Sequence, residues 1–219
     1  MNLDSRIKVQ FPVLIVTLLS VLIGLDFSDL VGLMRARMML WPLEAGSLRT
    51  WGQIFTMTGC CLSVWVIFAH TNVSRSRIPV LADSVVVFTM PLSIVVGNSL
   101  VGQNVIWPWF WWACAYLVNA IVTWRWQVHI ALEEHQLASF ARLTHPFRTM
   151  IILYFGVPFF AIAALADSRQ LLSPTFEALV AWSGGPAAMF TVWLFIREWH
   201  SAIADVEAVE LQPTPVGAD

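Results

Sequence analysis

Six long apolar runs, separated by short polar stretches, dominate the pattern of this 219-residue chain. An α-helix needs about 20 apolar residues to cross the hydrocarbon core of a bilayer, and each run approaches that length. The runs are continuous rather than alternating, which favours helices over the strands of a β-barrel. We therefore predict an all-α fold, a polytopic membrane helical bundle. Its six transmembrane spans are residues 11–33, 52–70, 79–101, 105–124, 149–166 and 177–196.

Two further segments carry too many polar side chains to be spans. Residues 125–148 mix charged and apolar side chains at partial helical spacing. This pattern predicts an amphipathic cytoplasmic helix that extends the fourth span or lies on the membrane surface. Residues 201–219 form an acidic cytoplasmic tail that begins as a helix and whose last residues we expect to be disordered. Residues 1–200 are then a single transmembrane domain.

Composition places the chain in a membrane rather than in water. Hydrophobic residues make up 58% of the chain and charged residues 12%, whereas soluble domains carry about 25% charged residues. These values exclude an ordinary soluble globule, and they also exclude a disordered chain. The basic residues form no dense basic face, so we expect no nucleic acid partner.

The distribution of Lys and Arg predicts the orientation. Six spans place both termini on one side of the membrane, and that side holds eight of the 12 basic residues. By the positive-inside rule both termini lie in the cytoplasm, in a multi-pass protein of the cell (inner or plasma) membrane. The other side holds Arg35, Arg37, Arg49 and Arg169.

Tryptophan is unusually frequent, with 12 copies. Seven of them lie near predicted span ends, as in the aromatic belts of membrane proteins. The dense run at residues 107–112 is interpreted as an interfacial anchor; the alternative is a flat aromatic surface for a ring-shaped ligand, a pigment or a partner helix. The seven Trp residues near predicted span ends are Trp41, Trp51, Trp107, Trp109, Trp124, Trp126 and Trp199.

Two carboxylates are the first candidates for function, because an ionisable group at mid-span costs about 2.5–3.5 kcal/mol on insertion scales. Asp26 and Asp29 are three residues apart and would share one face of a helix. Such a pair can bind a cation or share a proton. The alternative is a turn at the membrane interface, in which the sequence Asp-Phe-Ser-Asp caps a short helix.

A second candidate is a polar seam through the bundle. Asp83 and Asn98 lie towards opposite ends of the third span, while Asn119 lies in the fourth span and His70 ends the second. If these side chains face a common interior, they line a conduction or binding path. The alternative is that they make interhelical hydrogen bonds and interfacial caps.

The sixth span contains Ser183, Gly184 and Gly185, followed by Pro186. This combination favours a break or a sharp kink. Broken helices expose backbone dipoles that bind substrates or ions in transporters. Small residues also permit close helix packing with no further role, and both interpretations stay open at this point.

A metal site is a weaker candidate. His129, Glu133 and His135 lie within one short segment, and the first two share a helix face. The H-E-x-x-H pattern of zinc hydrolases is absent, so a solvated surface helix is the simpler interpretation. The sequence identifies no cofactor.

These patterns favour a small integral membrane channel or transporter for an ion or small solute, forming a homo-oligomer. The first alternative is a non-catalytic membrane subunit or sensor that packs in a larger membrane complex. The second is a membrane-embedded enzyme that uses Asp26 and Asp29 or the segment 129–135. The chain has no G-x-S-x-G, P-loop or G-x-G-x-x-G motif, which weighs against an enzyme.

Overall fold

Each apolar run forms a helix in the computed structural model, which describes residues 3–38, 45–73, 81–135 and 151–210. Within these residues the chain is helical almost throughout and has no strand, so the prediction of an all-α helical bundle is confirmed. A single π-helical turn, Ile152–Gly156, precedes the fifth helix. The helices are α1 (Leu3–Met38), α2 (Ala45–Val73), α3 (Leu81–Ser99), α4 (Trp107–His135), α5 (Val157–Ser168) and α6 (Pro174–Glu210).

Helix α2 lies at the centre of the bundle. It packs most extensively on α6 and also contacts α1 and α3, while α4 packs on α3 and α5. Arg49, early in α2, meets Glu177, early in α6, so these two helices begin at the same end of the bundle. Trp107, the first residue of α4, meets Asp167 near the end of α5. We call this end of the bundle, where Asp167 and Glu177 flank Arg49, the Arg49 end.

Small residues let α2 and α6 approach closely. Gly52, Thr56, Gly59 and Ser63 are spaced by four, three and four residues, so they form one stripe along α2. Thr56 Oγ1 donates a hydrogen bond to the Ala181 carbonyl of α6 at 2.7 Å. Such stripes allow backbone contact between membrane helices, where apolar burial gives little driving force.

The predicted break in the sixth span does not occur, because α6 runs as one helix through Pro186. A Cβ added at Gly184 would lie 2.5 Å from Thr56 Cγ2, and one added at Gly185 would meet the Phe55 ring. The sequence allowed either a broken helix or close helix packing at these residues, and the structure shows close packing. Both glycines serve the contact with α2.

The aromatic belt prediction is wrong at two positions. Trp109 is fully buried and packs edge-on against Phe160, with ring centroids 6.5 Å apart. Trp199 is 2% exposed and stacks on Phe195 at 5.4 Å. Both rings fill space between helices instead of lying at a lipid headgroup boundary. Trp107, in contrast, is 39% exposed.

The two flanking segments continue helices as far as they are described. Helix α4 extends to His135, and in this extension Val128 and Ala131 pack against Phe195 and Trp199 of α6. The predicted amphipathic segment therefore extends the fourth span over 125–135, and 136–148 lie outside the described residues. Helix α6 continues to Glu210. Residues 211–219 also lie outside the described residues.

The surface of the bundle identifies a membrane protein. Three helical segments are long and apolar enough to cross a bilayer: Val13–Ala36, Gly46–Ala69 and Pro174–Ala208. In α2 61% of this segment is buried inside the protein, but in α1 and α6 only 28% is. Large apolar side chains of α1 and α6 thus face outward, as they do where lipid is the solvent. Tyr154–Ser168 is a shorter apolar helix.

Candidate functional site

Asp26 lies in the buried stripe of α1. Ile15, Leu19, Ile23 and Leu30 are spaced so that Asp26 falls on the same face, and its side chain is only 2% exposed. Because α1 continues unbroken to Met38, the alternative of a capping turn at residues 26–29 is wrong. At 1.5 Å per residue, Asp26 is about 20 Å from Val13 and about 15 Å from Ala36, so it lies near the middle of the apolar segment.

Asn98 in the last turn of α3 meets Asp26. Its Nδ2 donates a hydrogen bond to the Asp26 backbone carbonyl at 3.4 Å, and Asn98 is itself 6% exposed. Asp26 Oδ2 and Asn98 Oδ1 are both buried without a hydrogen-bond partner among the described residues. A buried polar atom left unsatisfied costs about 1–3 kcal/mol. Asp26 and Asn98, joined through the Asp26 backbone, each carry such an oxygen, which makes this pair the strongest candidate for a binding site among the described residues.

The surroundings of this pair favour a positively charged ligand. Asn98 sits where α3 ends, and the C-terminus of a helix carries partial negative charge. The thiol of Cys61, which is fully buried, is within electrostatic reach of the Asp26 carboxylate. Its neighbour Cys60 shares a hydrogen bond with the Tyr116 hydroxyl of α4. Oxygen acceptors and partial negative charge dominate, so the Asp26–Asn98 pair suits a cation or a proton.

Three described members of the predicted sites do not join this pair in the interior. Asp29 is exposed, so only one of the two predicted carboxylates faces the interior. Asn119 is half-buried and accepts a hydrogen bond from Thr89 Oγ1 at 3.2 Å. Ser183 is exposed and donates to the Val180 carbonyl of its own helix. Of the predicted seam, the described contacts bring Asn98 alone to Asp26.

Three remaining predicted residues are only partly described. His70 and Asp83 belong to α2 and α3, but their side chains lie outside the described residues, as does that of His135. His129 Nε2 and Glu133 Oε1 are 3.1 Å apart with side chains 61% and 56% exposed. Across the described ranges no three His, Cys, Asp or Glu side chains are grouped to hold a metal ion. The metal hypothesis is therefore left with one exposed pair.

Sequence analysis missed a second polar cluster, at the Arg49 end. Arg49 Nη1 donates to Glu177 Oε2 at 2.7 Å, with side chains only 16% and 11% exposed. Its Nη2 donates to the Gln103 carbonyl at 3.1 Å, and Gln53 Oε1 accepts from the Gly102 N–H at 3.0 Å. Irregular backbone is tolerated at membrane depth only where protein groups satisfy it. These side chains do so for the stretch between α3 and α4.

Asp167 completes this cluster. Its Oδ2 accepts a hydrogen bond from the Trp107 N–H at 3.0 Å, at the start of α4. Burial raises the pKa of Asp167, and the hydrogen-bonded carboxyl of Glu177 raises it further, while Arg49 acts in the opposite direction. Asp167 therefore retains a proton to higher pH than an isolated carboxyl does. The cluster ties together the starts of α2, α4 and α6.

No spacing in the sequence reveals this cluster, because Arg49 and Glu177 are 128 residues apart. Arg49 was counted as a loop charge for the orientation, whereas it is an internal ion pair. The signal for Asp26 is present in the sequence: it follows Ile15, Leu19 and Ile23 after a further three residues, which keeps it on the same helix face. No protein family model, curated protein or solved structure matches this chain.

Proposed function

We propose that this chain is a small channel or transporter of the cell membrane that moves a cation, including the proton, through the Asp26–Asn98 pair. One observation carries the proposal: a carboxylate buried near the middle of an apolar helix segment and a buried amide from the end of α3 have oxygens without partners among the described residues. An ionisable group at this depth is expensive and marks ion paths and relays in membrane proteins.

The arrangement of helices supports this role. The pair lies between α1 and α3, and Cys61 of α2 is beside it, so three helices contribute to its surroundings. Transporter sites typically lie near the bilayer midplane at helix ends within the bundle. An isolated carboxylate anion is strongly disfavoured in an apolar interior. Asp26 therefore favours a bound cation or proton as its partner.

The proposal includes six crossings with both termini in the cytoplasm. Arg49 is held in an internal ion pair, so it does not count as a loop charge, and three of the four basic residues of the opposite side are left for that count: Arg35, Arg37 and Arg169. The excess of Lys and Arg on the side that holds both termini is therefore larger, and by the positive-inside rule this favours a cytoplasmic location for that side. The lipid bilayer, and other copies of the chain within it, are the proposed partners.

A non-catalytic subunit of a larger membrane complex is the second candidate. The observation that favours it is the low burial of α1 and α6, 28% in each apolar segment. Either lipid or a partner helix can cover such a face. Purified protein that conducts nothing and carries a stoichiometric partner would favour this candidate.

The test is transport by purified protein in liposomes. We expect a flux of K⁺, Na⁺ or H⁺ that falls at least roughly tenfold in Asp26→Asn, because the neutral amide cannot neutralise a cation in the membrane interior. Asp29→Asn is the matched control: Asp29 is one turn further along the same helix but exposed, so its flux should stay near that of the unaltered protein.

Two results would contradict the proposal. One is the absence of flux for all three ions across correctly folded, reconstituted protein. The other is equal flux in Asp26→Asn and the unaltered protein, which would show that the buried carboxylate takes no part in conduction.

A further inference from the structure

Buried polar side chains continue from Asp26 along the inner face of α4. Tyr116, Thr123 and Gln127 follow each other at seven and four residues, which places them on one helix face. They are 8%, 4% and 1% exposed. Thr123 Oγ1 is buried without a hydrogen-bond partner among the described residues. These groups form a column along α4 that is directed away from the Arg49 end.

This column reaches Asp26 through the thiols of α2. The Tyr116 hydroxyl hydrogen-bonds Cys60, and the adjacent Cys61 lies within electrostatic reach of the Asp26 carboxylate. On the other side of Asp26, the carboxyls of Asp167 and Glu177 are hydrogen-bonded to each other at the Arg49 end. Protonatable or hydroxyl-bearing groups are therefore present in both halves of the bundle.

The chemistry of these groups suits a proton better than a metal cation. Asp26 and Asn98 supply two unpartnered buried oxygens, whereas a hard divalent cation takes about six to eight oxygen ligands. A proton needs a single acceptor. Hydroxyl groups both donate and accept hydrogen bonds, so they can pass a proton along a chain, and more than one water is required to bridge the longer gap of about 10 Å between Tyr116 and Thr123.

We propose that the transported cation is the proton, and that it moves along the column formed by Gln127, Thr123, Tyr116 and Cys60 to Asp26. At Asp26 an S–H bond of a thiol, or an O–H bond of a bridging water, breaks as a bond forms to Oδ2, which gives the neutral acid. The donor regains a proton from the group before it, and the first group of the column regains one from water at the far end, so every donor is restored. Release towards the Arg49 end breaks the new bond at Oδ2 and restores the carboxylate. No electron is transferred. This inference rests on the proposed function and specifies its substrate.

The test measures proton entry into liposomes that contain a pH-sensitive dye, driven by a K⁺ gradient with valinomycin. Loss of one hydrogen-bonding group is worth about a factor of three to ten, so Thr123→Val and Tyr116→Phe should each slow proton flux to that degree. Thr191→Val is the matched control, because Thr191 bonds only within α6 at 2.8 Å and lies off the column. Its flux should be unchanged.

The outcomes separate the two proposals. Na⁺ or K⁺ flux that depends on Asp26, without proton flux, would overturn the proton assignment and leave the proposed function standing. Proton flux that falls in Asp26→Asn but not in either column variant would overturn the column. Thermal unfolding of each variant in detergent checks that a loss of flux is not a loss of fold. If none of the ions shows any flux, both proposals are overturned.

Discussion

Replacing Gly52 by leucine is expected to destabilise the bundle by about 3 kcal/mol, the upper end for overpacking a core. A Cβ at this position would lie 2.6 Å from Trp182 Cδ1 and 2.9 Å from the Trp182 backbone nitrogen. The backbone atom cannot rotate away, so α2 and α6 would have to separate. That separation would also stretch the hydrogen bond from Thr56 to Ala181. Thermal unfolding in detergent measures the loss.

Gly24→Leu is the control for this substitution. A Cβ at Gly24 meets nothing within 4 Å, and leucine favours a helix over glycine by about 0.8 kcal/mol. The Gly24 variant should therefore unfold at or above the midpoint of the unaltered protein. Equal midpoints for the Gly52 and Gly24 variants would mean that α2 and α6 are not in backbone contact.

Breaking the Arg49–Glu177 ion pair is the second change with a large expected effect. Glu177→Ala removes the carboxylate that is hydrogen-bonded to a guanidinium only 16% exposed, and leaves Asp167 as the remaining carboxyl near it. Removing one partner of a buried pair costs about 3–5 kcal/mol, because the remaining charge stays desolvated. Glu177→Gln should cost less, since its amide oxygen still accepts from Arg49. Denaturation in detergent, followed by tryptophan fluorescence, reports the free energy of unfolding.

The exposed pair His129–Glu133 provides the comparison. Its side chains are 61% and 56% exposed, and exposed ion pairs are worth about 0–1 kcal/mol. Glu133→Ala should therefore change stability by no more than that. If Glu177→Ala were as mild as Glu133→Ala, the Arg49 end would not hold the helices together as described.

The helices themselves were predictable, because length and continuous apolarity are local properties of the sequence. All six apolar runs became helices, and α4 extended over residues 125–135 as one of the two interpretations required. Burial of individual side chains was harder to predict. Trp109 fills the space beside Phe160, and nothing local distinguishes such a ring from one at an interface.

The two polar sites also differ in how far the sequence predicts them. The buried position of Asp26 follows from the spacing of apolar residues on α1, but the sequence also allowed Asp26 and Asp29 to cap a turn at the membrane interface. The Arg49–Glu177 pair depends on the register of α2 against α6, which is set by Gly52, Gly59 and the glycines of α6. Helix register is a tertiary property, so the sequence alone could not place these charges together.

Cysteine labelling tests most directly whether the bundle crosses a membrane. Cys60, Cys61 and Cys114 are buried, so an introduced cysteine gives the main signal. Leu171, between α5 and α6, is 72% exposed, and Asp205 is exposed near the other end of α6. We predict that a membrane-impermeant maleimide labels Asp205→Cys only from the cytoplasmic side and Leu171→Cys only from the opposite side. Labelling of both from the same side, or a chain that stays in the aqueous fraction without detergent, would contradict the account.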